Sequence, residues 1–186
     1  DKDLDNKQIN KLNNFFWLFS IDLKSSNSSV QKIIKNWIEI NNKYNSQTWN
    51  FKTTSKRIIS WLSNSKLSYD ESNEQYKIDF NHIIQKQALH LKNQIDKIKD
   101  NQKQLIGISA VILVGLAYND KKNFILSGLN YLKKNIKYSL DNYGFPKSRS
   151  IDSAFFYLKY LILVREWFKE SQTEIPDFID ENIFLS

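Results

Sequence analysis

The 186-residue sequence contains no cysteine, which excludes disulfide frameworks, thiolate zinc sites, iron–sulfur clusters and cysteine nucleophiles. Its only histidines, His82 and His90, are eight residues apart. On a helix this spacing turns their side chains about 80° away from each other, a poor arrangement for sharing one metal ion. The sequence also lacks a glycine-rich phosphate loop, an EF-hand loop and the His-Glu-x-x-His and Gly-x-Ser-x-Gly motifs. We therefore expect no bound metal and no cofactor.

Methionine is absent and arginine is scarce. Because position 1 is not methionine, we expect the chain to be a piece of a longer protein. Lysine outnumbers arginine 24 to 3, and the formal net charge is +7. Nucleic-acid interfaces favour arginine, whose planar guanidinium binds phosphates and guanines. The charge is therefore compatible with a polyanionic partner, but we do not expect a nucleic acid.

Glycine (four) and proline (two) barely interrupt the sequence. Apolar residues recur with a period close to 3.6 almost throughout, which predicts an all-α fold. The most apolar stretch, Leu105–Tyr118, has fourteen residues, fewer than the ~20 that cross a bilayer. We interpret it as the central core helix and expect no membrane insertion. The other predicted helical segments are about Leu4–Phe19, Val30–Ile38, Ile58–Leu62, Asp70–Asp100, Lys121–Asn142, Ile151–Ser171 and Asp177–Leu185.

Polar residues before two of these segments predict where the helices begin. Ser25–Ser29 is expected to supply the N-cap of the second helix, and Thr53 or Thr54 that of the third. Short links between helices favour antiparallel neighbours. We therefore predict one domain, residues 1–186, built from antiparallel helical hairpins in a bundle or a curved array.

Arg57 and Trp61 form the first of three candidate functional groups. Four residues apart on a helix, they emerge on one face, where guanidinium and indole can stack. A pyranose ring can pack against the indole while the arginine binds sugar hydroxyls or carboxylates. The alternative is an arginine that covers a buried tryptophan.

His90 belongs to the second group, Gln87–Leu91, whose polar side chains interrupt an otherwise apolar helix. Either His90 is a buried histidine with satisfied hydrogen bonds, or it lines a cleft. In a cleft its charge would respond to pH near neutrality.

The third group is the loop Gly144–Ser150. Pro146 keeps the chain out of a helix, and Ser150 can cap the helix that follows. The unpaired N–H groups of that helix start, with Lys147 and Arg149 beside them, make a candidate site for a carboxylate or sulfate. The alternative is an exposed basic loop with an ordinary cap.

These three groups, in this order, resemble the N-terminal helical domain of the heparinase II/III-like polysaccharide lyases. The resemblance covers about residues 15–180. Further matching segments are Trp17–Lys24, Ile34–Ile38, Trp49, Val114–Leu116 and Tyr157–Trp167.

The resemblance implies that the helices form part of an incomplete (α/α) toroid. In the family a β-sandwich domain follows, which we expect outside this chain and in contact with it. The toroid would form one wall of a cleft for acidic, uronate-containing polysaccharide, which the family cleaves by β-elimination. The resemblance also gives a slight preference for the periplasm. The substrate-binding residues it implies here are Arg57, Trp61, His90, Lys147, Arg149 and Ser150.

The catalytic residues stay unassigned. In relatives the loop often reads Gly-Gly-His-x-Ser-Arg-Asn, and Gly144, Ser148 and Arg149 match this pattern. Pro146 stands at the histidine position and Ser150 at the asparagine position. The catalytic tyrosine and second histidine of the family would be expected beyond this chain. We therefore expect no lyase activity from these residues alone.

Two other functions are compatible with the sequence. A helical-hairpin scaffold that binds protein on a concave face, without catalysis, is the main alternative. An apolar groove and a wide separation of Arg57 from Arg149 would favour it. Nonspecific nucleic-acid binding through a continuous lysine stripe is the third possibility, and a steep salt dependence would reveal it.

Overall fold

The structure, a computed structural model, describes residues 5–22 and 27–185, apart from the side chain of Asn119. Within these ranges it contains nine α-helices, three 3₁₀ helices and no strand. The predicted all-α class is therefore confirmed. The chain divides into two compact units, Asp1–Asn93 and Gln94–Ser186, whereas the sequence is interpreted above as one domain.

The first unit is organised around the third of its helices. Helix α3 packs against α1, against α5 and against a 3₁₀ helix, while α2 packs on α4 and α5. The face of α3 that packs against these elements carries polar as well as apolar side chains, all of them buried. The elements are α1 (Asn6–Asn13), the 3₁₀ helix Phe16–Ser20, α2 (Asn27–Asn41), α3 (Phe51–Ser63), α4 (Ser65–Ser68) and α5 (Glu74–Lys92).

The N-terminal helix is shorter than the sequence predicts. Leu4–Phe19 reads as one helix, but α1 ends at Asn13, and Phe15 has φ of 56°. This left-handed backbone conformation cannot continue a right-handed helix. The predicted cap segment Ser25–Ser29 lies partly outside the described residues, as do the last two residues of Trp17–Lys24, because residues 23–26 are not described.

Helix α3 begins earlier than predicted. Its N-cap is Asn50, whose side chain accepts a hydrogen bond from the N–H of Thr53 at 3.0 Å. Thr53 and Thr54 lie inside the helix and are buried. The prediction of a threonine cap is therefore wrong: an asparagine side chain reaches the N–H groups of the first turn at least as well.

The prediction of one long helix over Asp70–Asp100 is also wrong at both ends. Helix α5 starts after Asn73, which caps it by accepting from the N–H of Tyr76 at 2.9 Å. It ends at Lys92, and the 3₁₀ helix Ile95–Lys97 follows in the second unit. The apolar period continues across this break, so the pattern alone does not reveal it.

The second unit is built around α6. Every residue from Leu105 to Gly115 is buried, which confirms the predicted core helix, and Asp100 caps it through the N–H groups of Gln102 and Lys103. Helix α6 packs against α7 and α8, and α8 packs against α9. No helix within the described residues is long and apolar enough to cross a membrane. The elements are α6 (Asn101–Ala117), the 3₁₀ helix Asn119–Lys121, α7 (Lys122–Ser139), α8 (Ile151–Glu170) and α9 (Asp177–Leu185).

Two glycines let α6 and α7 approach closely. A Cβ atom on Gly115 would lie 2.7 Å from the backbone nitrogen of Ile125. A Cβ atom on Gly128 would overlap the side chain of Ile112. The absence of side chains at these two positions therefore sets the distance between the helices.

Candidate functional site

Arg57, on α3, is fully buried. Its Nε donates to Oε1 of Gln87 at 3.0 Å, and its Nη1 donates to the carbonyl oxygens of Asn13 (2.8 Å) and Thr48 (3.0 Å). Its Nη2 donates to the hydroxyl of Thr54 at 3.2 Å. All four acceptors are neutral. Burial lowers the pKa of Arg57, because the charged guanidinium loses hydration.

The predicted sugar-binding pair of Arg57 and Trp61 is therefore wrong. The guanidinium carbon lies 4.0 Å from the ring centroid of Trp37, not over Trp61. Trp61 is itself fully buried, and its ring meets those of Phe15 and Trp37 edge to face at 5.1 and 5.5 Å. Neither Arg57 nor Trp61 exposes any surface to a polysaccharide, so the pair belongs to the core.

His90 is half-buried near the end of α5. Its ring centroid lies 5.3 Å from that of Tyr44 and 5.7 Å from that of Trp49. Gln87, in the same motif, is fully buried and accepts the hydrogen bond from Arg57. The motif therefore contributes one side chain to the core and leaves the imidazole partly exposed between aromatic rings.

The six residues predicted to bind substrate fall in both units. Arg57, Trp61 and His90 belong to the first unit, and Lys147, Arg149 and Ser150 to the second. The structure brings the last three together in the loop that connects α7 to α8. This loop, residues 140–150, is hereafter called the basic loop.

Asp141 organises the basic loop. Its Oδ1 accepts hydrogen bonds from the N–H groups of Tyr143 (2.9 Å) and Phe145 (3.0 Å), and its Oδ2 accepts one from Nη1 of Arg149 (2.8 Å). Partial burial acts to raise the pKa of Asp141, but the two N–H groups and Arg149 outweigh it, so the pKa is lowered. One carboxylate thus holds both ends of the loop.

Both cations of the basic loop reach solvent. The Arg149 side chain is 70% exposed although it pairs with Asp141, and its φ of 57° lies in the left-handed region. Lys147 is exposed and donates from Nζ to a backbone carbonyl of α7 at 2.7 Å. Ser150 accepts from the N–H of Ser153 at 3.3 Å, which confirms it as the N-cap of α8. Both cations therefore belong to the residues that immediately precede the positive end of a 20-residue helix, while the Lys147 ammonium itself lies at the last turn of α7.

A groove of about 230 Å³ borders the basic loop within the second unit. Lys147 and Ser148 line it from the loop, Gln102 from α6, and Ser139 and Tyr157 from α7 and α8. The Tyr138 ring, which is 73% exposed, lines it as well. The groove therefore combines a cation, hydroxyls, an amide and an aromatic ring, and it is hereafter called the α6–α8 groove.

Ser139 and Tyr157 are functional candidates that the sequence reading misses. Ser139 is 9% exposed and Tyr157 3% exposed. The Ser139 hydroxyl interacts with that of Tyr157 and acts to lower its pKa, but burial outweighs this effect and raises the pKa. Single hydroxyls on amphipathic helices belong to no motif. The one available signal is that Tyr157 begins a segment that carries the family resemblance.

Within the described part of the chain, the acidic and imidazole side chains do not form a metal site. A second groove, of about 400 Å³, lies in the first unit and is lined by Glu39, Asp79 and His82 among others. Even so, no group of three or more histidine, aspartate or glutamate side chains in residues 5–22 and 27–185 could hold a metal ion.

Comparison with known proteins does not identify the chain: no family model, curated protein or solved structure matches it.

Proposed function

We propose that the chain binds acidic, uronate-containing polysaccharide at the basic loop, as the helical toroid portion of a heparinase II/III-like lyase. The observation that carries this proposal is the pair of exposed cations, Lys147 and Arg149, just before the N-terminus of α8. The family and the substrate class in this proposal come from the resemblance, in which the three motifs occur in the same order along the chain.

The basic loop has the chemistry that a uronate needs. Ammonium and guanidinium groups form strong, charge-assisted hydrogen bonds with carboxylates. The helix N-terminus adds a partial positive charge beside them. Asp141 keeps Arg149 in place, although it also neutralises part of its charge. A polymer with a carboxylate on each sugar would engage Lys147 and Arg149 together.

The family reaction makes specific demands. The C5 proton of a uronate is removed, the C4–O bond breaks, a C4=C5 double bond forms, and the leaving sugar oxygen takes up a proton. Cationic groups that bind the carboxylate favour removal of the C5 proton, because they stabilise the negative charge that develops beside C5. In our proposal the basic loop supplies these cationic groups, while the base and the acid come from outside this chain.

Binding to oligosaccharides of matched length tests the proposal. We expect the chain to bind tetragalacturonate in isothermal titration calorimetry at low salt, and not the neutral maltotetraose. The double variant K147Q/R149Q should bind at least about tenfold more weakly, since hydrogen bonds to charged groups are worth about 1.5–3 kcal/mol each. High salt should weaken binding by the wild type, because these cations are exposed.

A charge-matched variant separates this site from the general basicity of the chain. K32Q/K52Q replaces two exposed lysines of the first unit. It therefore lowers the net charge by the same amount as K147Q/R149Q. It should bind tetragalacturonate like the wild type. Equal weakening in both double variants, or no binding by the wild type, would contradict the proposal.

An exposed apolar stripe favours a second candidate function, a helical scaffold that binds protein. Ile151, Phe155 and Ile162 lie on one face of α8 and are 66%, 68% and 41% exposed. Several exposed apolar side chains on one helix face are typical of protein interfaces. Concentration-dependent self-association in sedimentation velocity, abolished by F155D, would support this candidate, and a monomer at every concentration would count against it.

A further inference from the structure

The groove of about 400 Å³ in the first unit lies between α2 and α5, and it is hereafter called the α2–α5 groove. Its base is apolar, because the buried side chains of Ile38 and Ile83 line it. Apolar surface with a few polar groups around it is typical of small-molecule sites. The titratable side chains that line the groove are all exposed and therefore accessible from solvent: Glu39, Lys43, Asp79, His82 and Lys86.

Helices α2 and α5 run side by side in the same direction. Near the start of α2, Gln31 donates from Nε2 to the carbonyl oxygen of Asp70, which precedes α5, at 2.8 Å. Just after the end of α2, the carbonyl oxygen of Asn42 accepts from Nζ of Lys86 at 2.5 Å. Residues early in α5 therefore lie toward the start of α2, and residues late in α5 lie toward its end.

This alignment separates the charges of the groove by sign. On α5, Asp79 comes seven residues before Lys86, about 10 Å along the helix axis. On the other side of the groove, Glu39 likewise precedes Lys43. Both carboxylates therefore lie toward one end of the groove and both ammonium groups toward the other, with Ile83 between Asp79 and Lys86.

The existing partners of these groups leave them able to bind a ligand. Glu39 pairs with Lys35 at 3.9 Å, but the two side chains are 61% and 60% exposed, and such exposed pairs are weak. Asp79 accepts one hydrogen bond, from the glutamine side chain one turn before it, at 3.1 Å. Lys86 uses one of its three N–H donors on the Asn42 carbonyl.

A ligand with charges of both signs matches this groove best. A purely anionic ligand would be repelled by the carboxylates at one end, and a purely cationic ligand by the lysines at the other. The two charges must also lie far apart. In a chain of five methylene groups between an ammonium and a carboxylate, the two ends are about 7–8 Å apart when the chain is extended. The adjacent ammonium and carboxylate of glycine are much closer than that.

From these observations we infer that the α2–α5 groove binds an extended zwitterion, in which an apolar chain of about five carbons joins an ammonium to a carboxylate. The ammonium binds the carboxylates of Glu39 and Asp79. The chain lies over Ile83, and the carboxylate binds Lys43 and Lys86. This site belongs to the first unit and is independent of the proposed function of the basic loop, so either can fail without the other.

Titration with 6-aminohexanoate tests the class of ligand. We expect it to cause saturable changes in the amide chemical shifts of the groove residues. Hexanoate and hexylamine each lack one of the two charges. Both should bind about threefold to tenfold more weakly, which is the effect of losing the exposed ion pairs at one end of the groove. Glycine should cause no saturable change at these residues.

Single variants test which end of the groove binds which charge. E39Q and K43Q should each weaken 6-aminohexanoate binding about twofold to fivefold. E39Q should leave the affinity for hexanoate unchanged, and K43Q that for hexylamine, because those ligands lack the group that the lost charge binds. The matched controls are E74Q on α5 and K32Q on α2, which replace exposed residues outside the groove and should bind 6-aminohexanoate like the wild type.

Lysine derivatives distinguish two sources of this ligand chemistry. Nα-acetyl-lysine has the free carboxylate of a C-terminal lysine in a peptide, whereas Nα-acetyl-lysine amide resembles a lysine within a chain. If the groove binds peptide C-termini, Nα-acetyl-lysine should bind more tightly than free lysine, whose α-ammonium would face the cationic end. If it binds the free amino acid, the order should be reversed. Either order supports the site, provided that the amide binds more weakly than both.

Three results would overturn the inference. The first is the absence of a saturable change with 6-aminohexanoate. The second is equal weakening in E39Q and E74Q, or in K43Q and K32Q, which would reflect net charge rather than a site. The third is an amide derivative that binds as tightly as the acid, since the carboxylate would then play no part. All four variants should keep the thermal unfolding midpoint of the wild type, because the replaced side chains are exposed.

Discussion

The guanidinium carbon of Arg57 lies 4.0 Å from the ring centroid of Trp37, in a cation–π contact between α3 and α2 that is closed to solvent. The same guanidinium binds the carbonyl oxygens of Asn13 and Thr48, which belong to two non-adjacent segments of the first unit. One buried side chain thus contacts five segments of the chain: the end of α1, α2, the turn before α3, α3 itself and α5.

Replacement of Arg57 should therefore destabilise the first unit strongly. In R57M the carbonyl oxygens and Gln87 lose their donor, and each buried acceptor left unpaired costs about 1–3 kcal/mol. We expect a loss of at least about 3 kcal/mol, and a similar loss in R57K, whose single ammonium cannot replace the guanidinium fork. Urea unfolding followed by tryptophan fluorescence measures this, since four of the five tryptophans lie in the first unit.

The control for Arg57 is an exposed cation on the same helix. K52Q should change the free energy of unfolding by no more than about 0.5 kcal/mol. An R57M protein within about 1 kcal/mol of the wild type would show that the buried hydrogen bonds carry little net stability.

Gly115 should resist substitution despite its place inside a helix. Alanine is favoured over glycine there by about 1 kcal/mol, but a Cβ would lie 2.7 Å from the Ile125 backbone nitrogen, and overpacking typically costs about 1–3 kcal/mol. G115A should therefore lower stability in urea unfolding followed by circular dichroism. It should still do so in an I125A background, because the backbone contact remains. A gain in stability would mean that α6 and α7 separate easily.

The basic loop should loosen in acid. The folded pKa of Asp141 is lowered, so its stabilising effect is present above the ordinary carboxyl pKa and is lost as pH falls through the folded value. Amide chemical shifts of Tyr143 and Phe145, which donate to this carboxylate, should move together in that acid range. In D141N this titration should disappear; its persistence would assign the transition to another group.

The chain by itself should not cleave uronate polymers. Pro146 and Ser150 stand where the heparinase II/III-like pattern that the sequence resembles has histidine and asparagine, and neither proline nor a capping serine can act as the base or as an amide donor. Incubation with polygalacturonate should give no ultraviolet-absorbing unsaturated product. Appearance of that absorbance would place a complete catalytic set within these residues.

Much of the helical architecture could be read from local pattern. Leu105–Gly115 is apolar at nearly every position, so it could only be a helix buried on all sides, and it is. Ser150 preceding an amphipathic run predicts a cap, and its hydroxyl accepts from the first turn. These features depend on neighbours within one or two turns, which the sequence places together whatever the fold.

Arg57 and Tyr157 show what only the tertiary structure decided. Their burial depends on groups far along the chain: Arg57 on a carbonyl 44 residues away, and Tyr157 on the packing of α8 against α6. Helical spacing puts Arg57 near Trp61, yet the ring it stacks on is supplied by α2. The period of a helix determines which residues share a face, but whether a polar side chain on that face meets solvent or a buried acceptor is determined by the segments that pack against it.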